Sequence, residues 1–152
     1  MTLYRHRQIG TLLIVVLGLG TVLTGALLLQ AGDSTARLPL GLVLVLLIAS
    51  AVLFASLTVE VRRDGIVVSF GPGLIRRIIP IGDIRDVRVV RNRWYYGWGI
   101  RRIPGGWLYN VSGLEAVELQ LASGRRFRIG TDEPQRLAEA IRQAMQTSPP
   151  AA

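Results

Sequence analysis

Two stretches constrain this chain more than any other feature: no residue from Gln8 to Gly32 carries a charge, and none from Leu38 to Val59 does. A helix crosses about 30 Å of hydrocarbon in roughly 20 apolar residues and satisfies its own backbone hydrogen bonds on the way, so both stretches are long enough to span a bilayer. The expected spans are Ile9–Gln30 and Leu38–Leu57. The connection Ala31–Arg37 is short, polar and rich in small residues, and Pro39 suits the first turn of a second helix, so the spans are expected to run antiparallel as a hairpin. A cleaved signal peptide fits less well, because its apolar core is usually about 7–15 residues and a second span follows here. Gly18, Thr21 and Gly25 share one face of the first helix, and Ala51 and Ala55 one face of the second, and these small-residue faces are expected to pack within the hairpin.

Arginine placement gives the orientation. Arg5 and Arg7 precede the first span and Arg62 and Arg63 follow the second, whereas the loop holds only Arg37, offset by Asp33. Positive charge favours the cytoplasmic side, so a two-pass protein of the inner membrane is expected, with both termini and the following domain cytoplasmic.

The remaining composition narrows the chemistry. All 18 basic residues are arginine and there is no cysteine, which removes disulfides, thiolate nucleophiles and cysteine-ligated zinc. The only histidine, His6, lies beside the first span, and no Ser/His/Asp arrangement can be assembled around it, so no enzyme and no cofactor are expected. The ten acidic residues are scattered over turns and strand faces without metal-ligand spacing, so no metal is expected either. Gly97/Gly99 and Gly105/Gly106 match neither phosphate-loop fingerprint. A net charge of +8 would ordinarily suggest nucleic acid, but a chain held in a bilayer has anionic head groups nearer, and membrane surface is the better expectation.

After Leu57 the pattern changes to apolar/polar alternation broken by turn residues, the mark of short antiparallel strands with one buried face. Seven strands are expected: Val59–Arg62, Ile66–Phe70, Leu74–Ile79, Ile84–Arg91, Trp107–Val111, Ala116–Leu121 and Arg125–Ile129. Helical spacing then takes over, with Asp132 as cap and Leu137, Ala140, Ile141, Ala144 and Met145 on one stripe. The organisation expected is an anchor over 1–57, a domain over 58–146 with its helix at 132–146, and a disordered tail at 147–152.

Seven antiparallel strands closed by one C-terminal helix resemble the pleckstrin-homology superfold. The segments Arg93–Arg102, Gly106–Val117 and Gly124–Pro134 look like the signatures of small bacterial membrane proteins carrying a pleckstrin-homology (PH)-like domain, with the resemblance covering Val59–Gln146. It implies a seven-stranded antiparallel barrel or sandwich capped by an α-helix, behind a two-helix transmembrane hairpin. Phosphoinositide-binding members carry basic residues on a long first hairpin loop. Here that loop is only Arg63-Asp64-Gly65, so head-group specificity is not carried over.

The candidate site is the connection Arg91–Tyr109, with Arg91, Arg93, Trp94, Tyr95, Tyr96, Trp98, Arg101, Arg102 and Trp107 in one segment and Arg76 and Arg77 nearby. Two readings stand: an exposed Arg/Trp/Tyr platform for a protein partner, another copy of the chain or anionic phospholipid, or a structural segment whose tryptophans close the barrel. Arg76, Arg77, Arg101 and Arg102 near an anionic leaflet would contribute about 4 kcal/mol together. In a chain already tethered, that energy orients the domain rather than recruiting it. The expected function is a non-enzymatic scaffold for a protein partner, with an anionic-lipid sensor as the alternative and nucleic acid excluded.

Overall fold

The structure, a computed structural model, describes residues 2–147; Thr147, expected to open the disordered tail, instead ends the last helix, and the rest of that tail lies outside the described residues. Two helices, α1 (Thr11–Gln30) and α2 (Ser34–Phe54), pair as a hairpin, and each is long and apolar enough to cross a membrane. The domain covers neither of them: Leu19, Val22, Leu23, Val45 and Leu46 all face outward. An exposed apolar surface of this extent marks contact with a membrane or another protein.

The helix bounds differ from the expected spans. α2 starts at Ser34, which makes Pro39 its sixth residue, where the missing N–H forgoes a bond to the Thr35 carbonyl. It ends at Phe54, because Ser56 and Leu57 already belong to a strand. Of the small residues on α1, Gly20 faces α2, where an added Cβ would stand 3.6 Å from Leu47, whereas a Cβ at Gly18 or Gly25 would meet nothing within 4 Å. Gly18, Thr21 and Gly25 are nevertheless partly buried.

The segment before α1 is a strand, β1 (Thr2–Ile9), paired antiparallel with β2 (Ser56–Arg62) from Thr2↔Arg62 to Ile9↔Ser56. Gly10 N–H donates to the Ala55 carbonyl at 2.9 Å, so the helical hairpin is an insertion between two hydrogen-bonded strands. β3 (Gly65–Phe70) and β4 (Ile75–Pro80) complete a four-stranded sheet in the order β1-β2-β3-β4. The second sheet runs β5-β8-β9-β7-β6, from β5 (Ile84–Arg91), β6 (Gly99–Ile103), β7 (Gly106–Asn110), β8 (Glu115–Leu121) and β9 (Arg126–Gly130).

The expected seven-stranded antiparallel barrel is corrected on three counts. Nine strands are present among the described residues, the additions being β1 and β6. They form two sheets that do not close on each other. β7 and β9 are parallel, with Trp107 opposite Phe127 and Tyr109 opposite Ile129.

Alternation decides which side chains meet between the sheets. Leu57, Val59, Val61, Ile66, Val68 and Phe70 form one buried core with Val117, Leu119, Phe127 and Ile129. Helix α3 (Pro134–Thr147) buries Leu137, Ala138, Ile141 and Ala144, and it packs on β5 and β8 of one sheet and β1 and β2 of the other. An aromatic chain ties the hairpin to the core: Phe54 to Phe70 at 5.3 Å between ring centres, Phe70 to Tyr109 at 5.3 Å, and Tyr109 to Phe127 at 4.9 Å.

Candidate binding surface

The domain has a helix-proximal end, marked by Gly10 and Ala55. Gly71 N–H donates to the Ser56 carbonyl at 2.8 Å, which seats the β3–β4 turn against the last turn of α2. On the other sheet, Val111 packs against Gly10, and the Gln8 side-chain amide donates to the Ser112 carbonyl at 3.4 Å. Asn92 N–H donates to the Leu114 carbonyl, and Gly99 pairs with Asn110, so the chain from Arg91 to Gly99 crosses the second sheet at this proximal end.

This crossing lies on the outer face of the sheet. Arg128 is the anchor: its Nε donates to Glu118 at 2.6 Å, its Nη1 to Asn92 Oδ1 at 3.2 Å, and its guanidinium stands 6.0 Å from the Tyr96 ring. A short 3₁₀ turn over Trp94–Tyr96 follows, with Arg93 donating to the Tyr95 hydroxyl at 2.7 Å, an interaction that raises the Arg93 pKa further. Arg101 Nε donates back to the Trp98 carbonyl at 2.9 Å and braces the segment.

No tryptophan lies in the core. Trp94 is 79% exposed, Tyr95 55% and Trp107 44%, and Trp98 is half-buried outside the core cluster. The segment thus leaves its tryptophans outside the core and, of its aromatic rings, sends only Tyr109 to pack against it.

The predicted residues do not form one platform. Arg91, Arg93, Trp94, Tyr95, Tyr96 and Trp98, braced by Arg101, gather at the proximal end. Arg102 and Trp107 stand opposite each other on β6 and β7, 5.9 Å from guanidinium to ring centre, and line a groove of about 310 Å³ with Ile103 and Arg125. Arg77 lines a neighbouring groove of about 220 Å³ with Ile79, Asp83, Leu121 and the same Arg125. Arg76 points away from the core on the edge strand β4.

Sequence reasoning missed a third groove, of about 610 Å³, between β1 and α3. His6 Nε2 lies 2.6 Å from Asp132 Oδ1, and Tyr4 donates to Glu133 Oε2 at 3.2 Å. Burial first, and then the Glu133 carboxylate, push the Tyr4 phenol well above its ordinary range. The signal was the alternation of inward Tyr4, His6 and Gln8 with outward Arg5, Arg7 and Ile9. Arg5, Arg136, Glu133 and Glu139 line this groove with mixed charge, so it favours no ligand of either sign.

Compared with known protein families and with curated proteins, the sequence matches none.

Proposed function

We propose that this chain is a non-enzymatic, membrane-tethered binding module of PH-like kind, held by α1 and α2 on the cytoplasmic face of the inner membrane, that captures an acidic segment of a protein partner. A four-stranded antiparallel sheet, a second sheet and a single C-terminal helix support the PH-like reading. The excess of Arg5, Arg7, Arg62 and Arg63 over Arg37 supports the cytoplasmic orientation.

The observation that carries the binding role is the pair of adjoining grooves that share Arg125. Arg77, Arg102 and Arg125 line them with Trp107, and Asp83 is the one carboxylate among their lining residues. The β8–β9 turn that bears Arg125 lies at the far end of β8 from Glu115, about 20 Å along the strand, which turns these grooves toward the aqueous compartment. Arginine forks pair bidentately with carboxylates, and an exposed tryptophan supplies the apolar contact that makes such a surface specific.

The test is crosslinking in native membranes with the full chain, comparing wild type with Arg77→Glu/Arg102→Glu/Arg125→Glu. Loss of the wild-type crosslinked partners is expected from the triple variant. The same partners at undiminished yield would overturn the assignment.

A further inference from the structure

The proximal aromatic segment is not needed for the grooves just described, and its position points to a second contact. The Gly71 amide is bound to Ser56, and a side chain at position 71 would run into the carbonyls of Val52 and Leu53 in the last turn of α2. The β3–β4 turn thus lies alongside the end of a helix long enough to span the bilayer, and it presents Leu74, 78% exposed, at that level. On the other sheet the Arg91–Gly99 crossing presents Trp94 and Tyr95 at the same end, held out by the Arg128–Asn92 and Arg93–Tyr95 hydrogen bonds. Exposed Arg76, Arg91 and Arg93 accompany them, against the exposed Glu115.

We infer that Leu74 and the Trp94–Tyr95 pair rest in the interfacial layer of the leaflet from which α1 and α2 emerge, with Arg76, Arg91 and Arg93 meeting the lipid phosphates. Tryptophan and tyrosine concentrate at this depth because their rings are apolar and their N–H or O–H still reaches water and head groups. Leucine gains from the acyl boundary what it lacks in water. With one rest on each sheet and two helices between them, the domain is fixed in tilt, and the Arg77/Arg102/Arg125 grooves are held away from the membrane. The inference rests on the spanning part of the proposed function and is independent of the partner.

The experiment uses the full chain in phosphatidylcholine/phosphatidylglycerol nanodiscs whose acyl chains carry bromine, a short-range quencher of indole fluorescence. Trp98→Phe/Trp107→Phe leaves Trp94 as the only indole, and Trp94→Phe/Trp98→Phe leaves Trp107. Trp94 is expected to be quenched at least twofold more than Trp107, and equal quenching would overturn the inference. A second readout covers the other rest. The chain has no cysteine, so a polarity-sensitive dye on Leu74→Cys reports that site alone, with Ser123→Cys as the reference. A blue-shifted emission at position 74 relative to 123 is expected, and water-like emission at both would overturn it. Val22→Trp, with Trp94, Trp98 and Trp107 all changed to Phe, reports on α1. If it is quenched and Trp94 is not, the interfacial rest fails while the spans stand; if it too is unquenched, the spanning reading fails as well.

Discussion

Arg128 holds Glu118 at 2.6 Å, with the two side chains only 17% and 13% exposed, and the same guanidinium reaches Asn92 at the start of the aromatic crossing. A partly buried pair of this kind is asymmetric: removing one partner strands the other charge. Arg128→Ala is expected to destabilise the chain by about 2–3 kcal/mol and to loosen residues 92–98. Denaturant titration of the detergent-solubilised protein gives the first quantity, and Trp94 anisotropy gives the second. A loss below about 0.5 kcal/mol would mean that solvent screens the pair as it does on open surfaces.

The β3–β4 turn offers a test in which two neighbouring glycines differ. Gly71 has φ of +49°, and a Cβ there would stand 2.5 Å from the Val52 carbonyl and 2.7 Å from that of Leu53, whereas Gly73, at φ +93°, opens onto space. Gly73→Ala therefore costs only the left-handed conformation, about 1–2 kcal/mol. Gly71→Ala adds a clash with backbone that cannot swing away and is expected to cost about 3 kcal/mol or more. Thermal melts of the two variants check the order, and equal losses would count against the seating of this turn on α2.

Phe70 touches both Phe54 at the end of α2 and Tyr109 in the second sheet. Phe70→Ala is expected to cost about 3–5 kcal/mol through the cavity it leaves. Because it breaks the aromatic chain, it should also increase hydrogen exchange at residues 54–58 more than in α3, which peptide-resolved exchange will read.

Tyr4 makes an alkaline prediction. Its phenol is raised above the ordinary value of about 10 in the folded chain, first by burial and then by Glu133. A raised folded pKa gives stability that is fully present below the unfolded value and is lost as pH rises through the folded one. The wild type should therefore lose stability from about pH 10 upward, and Tyr4→Phe should remove that part of the loss. Unfolding free energies of both chains at pH 9 and pH 11 decide it: the drop between the two pH values should be smaller in the variant.

Much of the fold was legible because it follows from local periodicity. Val117, Leu119 and Leu121 alternate with Glu118 and Gln120, and Leu137, Ile141 and Ala144 recur at helical spacing, so β8 and α3 were visible from neighbours alone. β1 escaped because it pairs with β2 across the whole helical hairpin, and the charged Arg5 and Arg7 resembled the flank of a span. β6 escaped because Gly99-Ile100-Arg101-Arg102-Ile103 shows no period-2 alternation, its partly buried Ile100 and buried Ile103 standing three residues apart, and because it is an edge strand. The candidate site was found as a list of residues, but its division was not: a single connection holds Trp94 near the helices and Trp107 beside the far grooves, and nothing in its composition marks the point of separation.

The sequence by itself determined two apolar runs of spanning length, the buried faces of most strands and the amphipathic last helix, since each depends on side chains one to four residues apart. Only the tertiary structure decided that the hairpin interrupts a sheet, that β7 and β9 run parallel, that the sheets stay open and that the arginines and tryptophans lie at two ends of the domain. These are matters of which strand finds which edge. Pairing energy comes from backbone groups that every residue carries alike, so partner choice is settled by long-range packing and leaves no local mark in the chain.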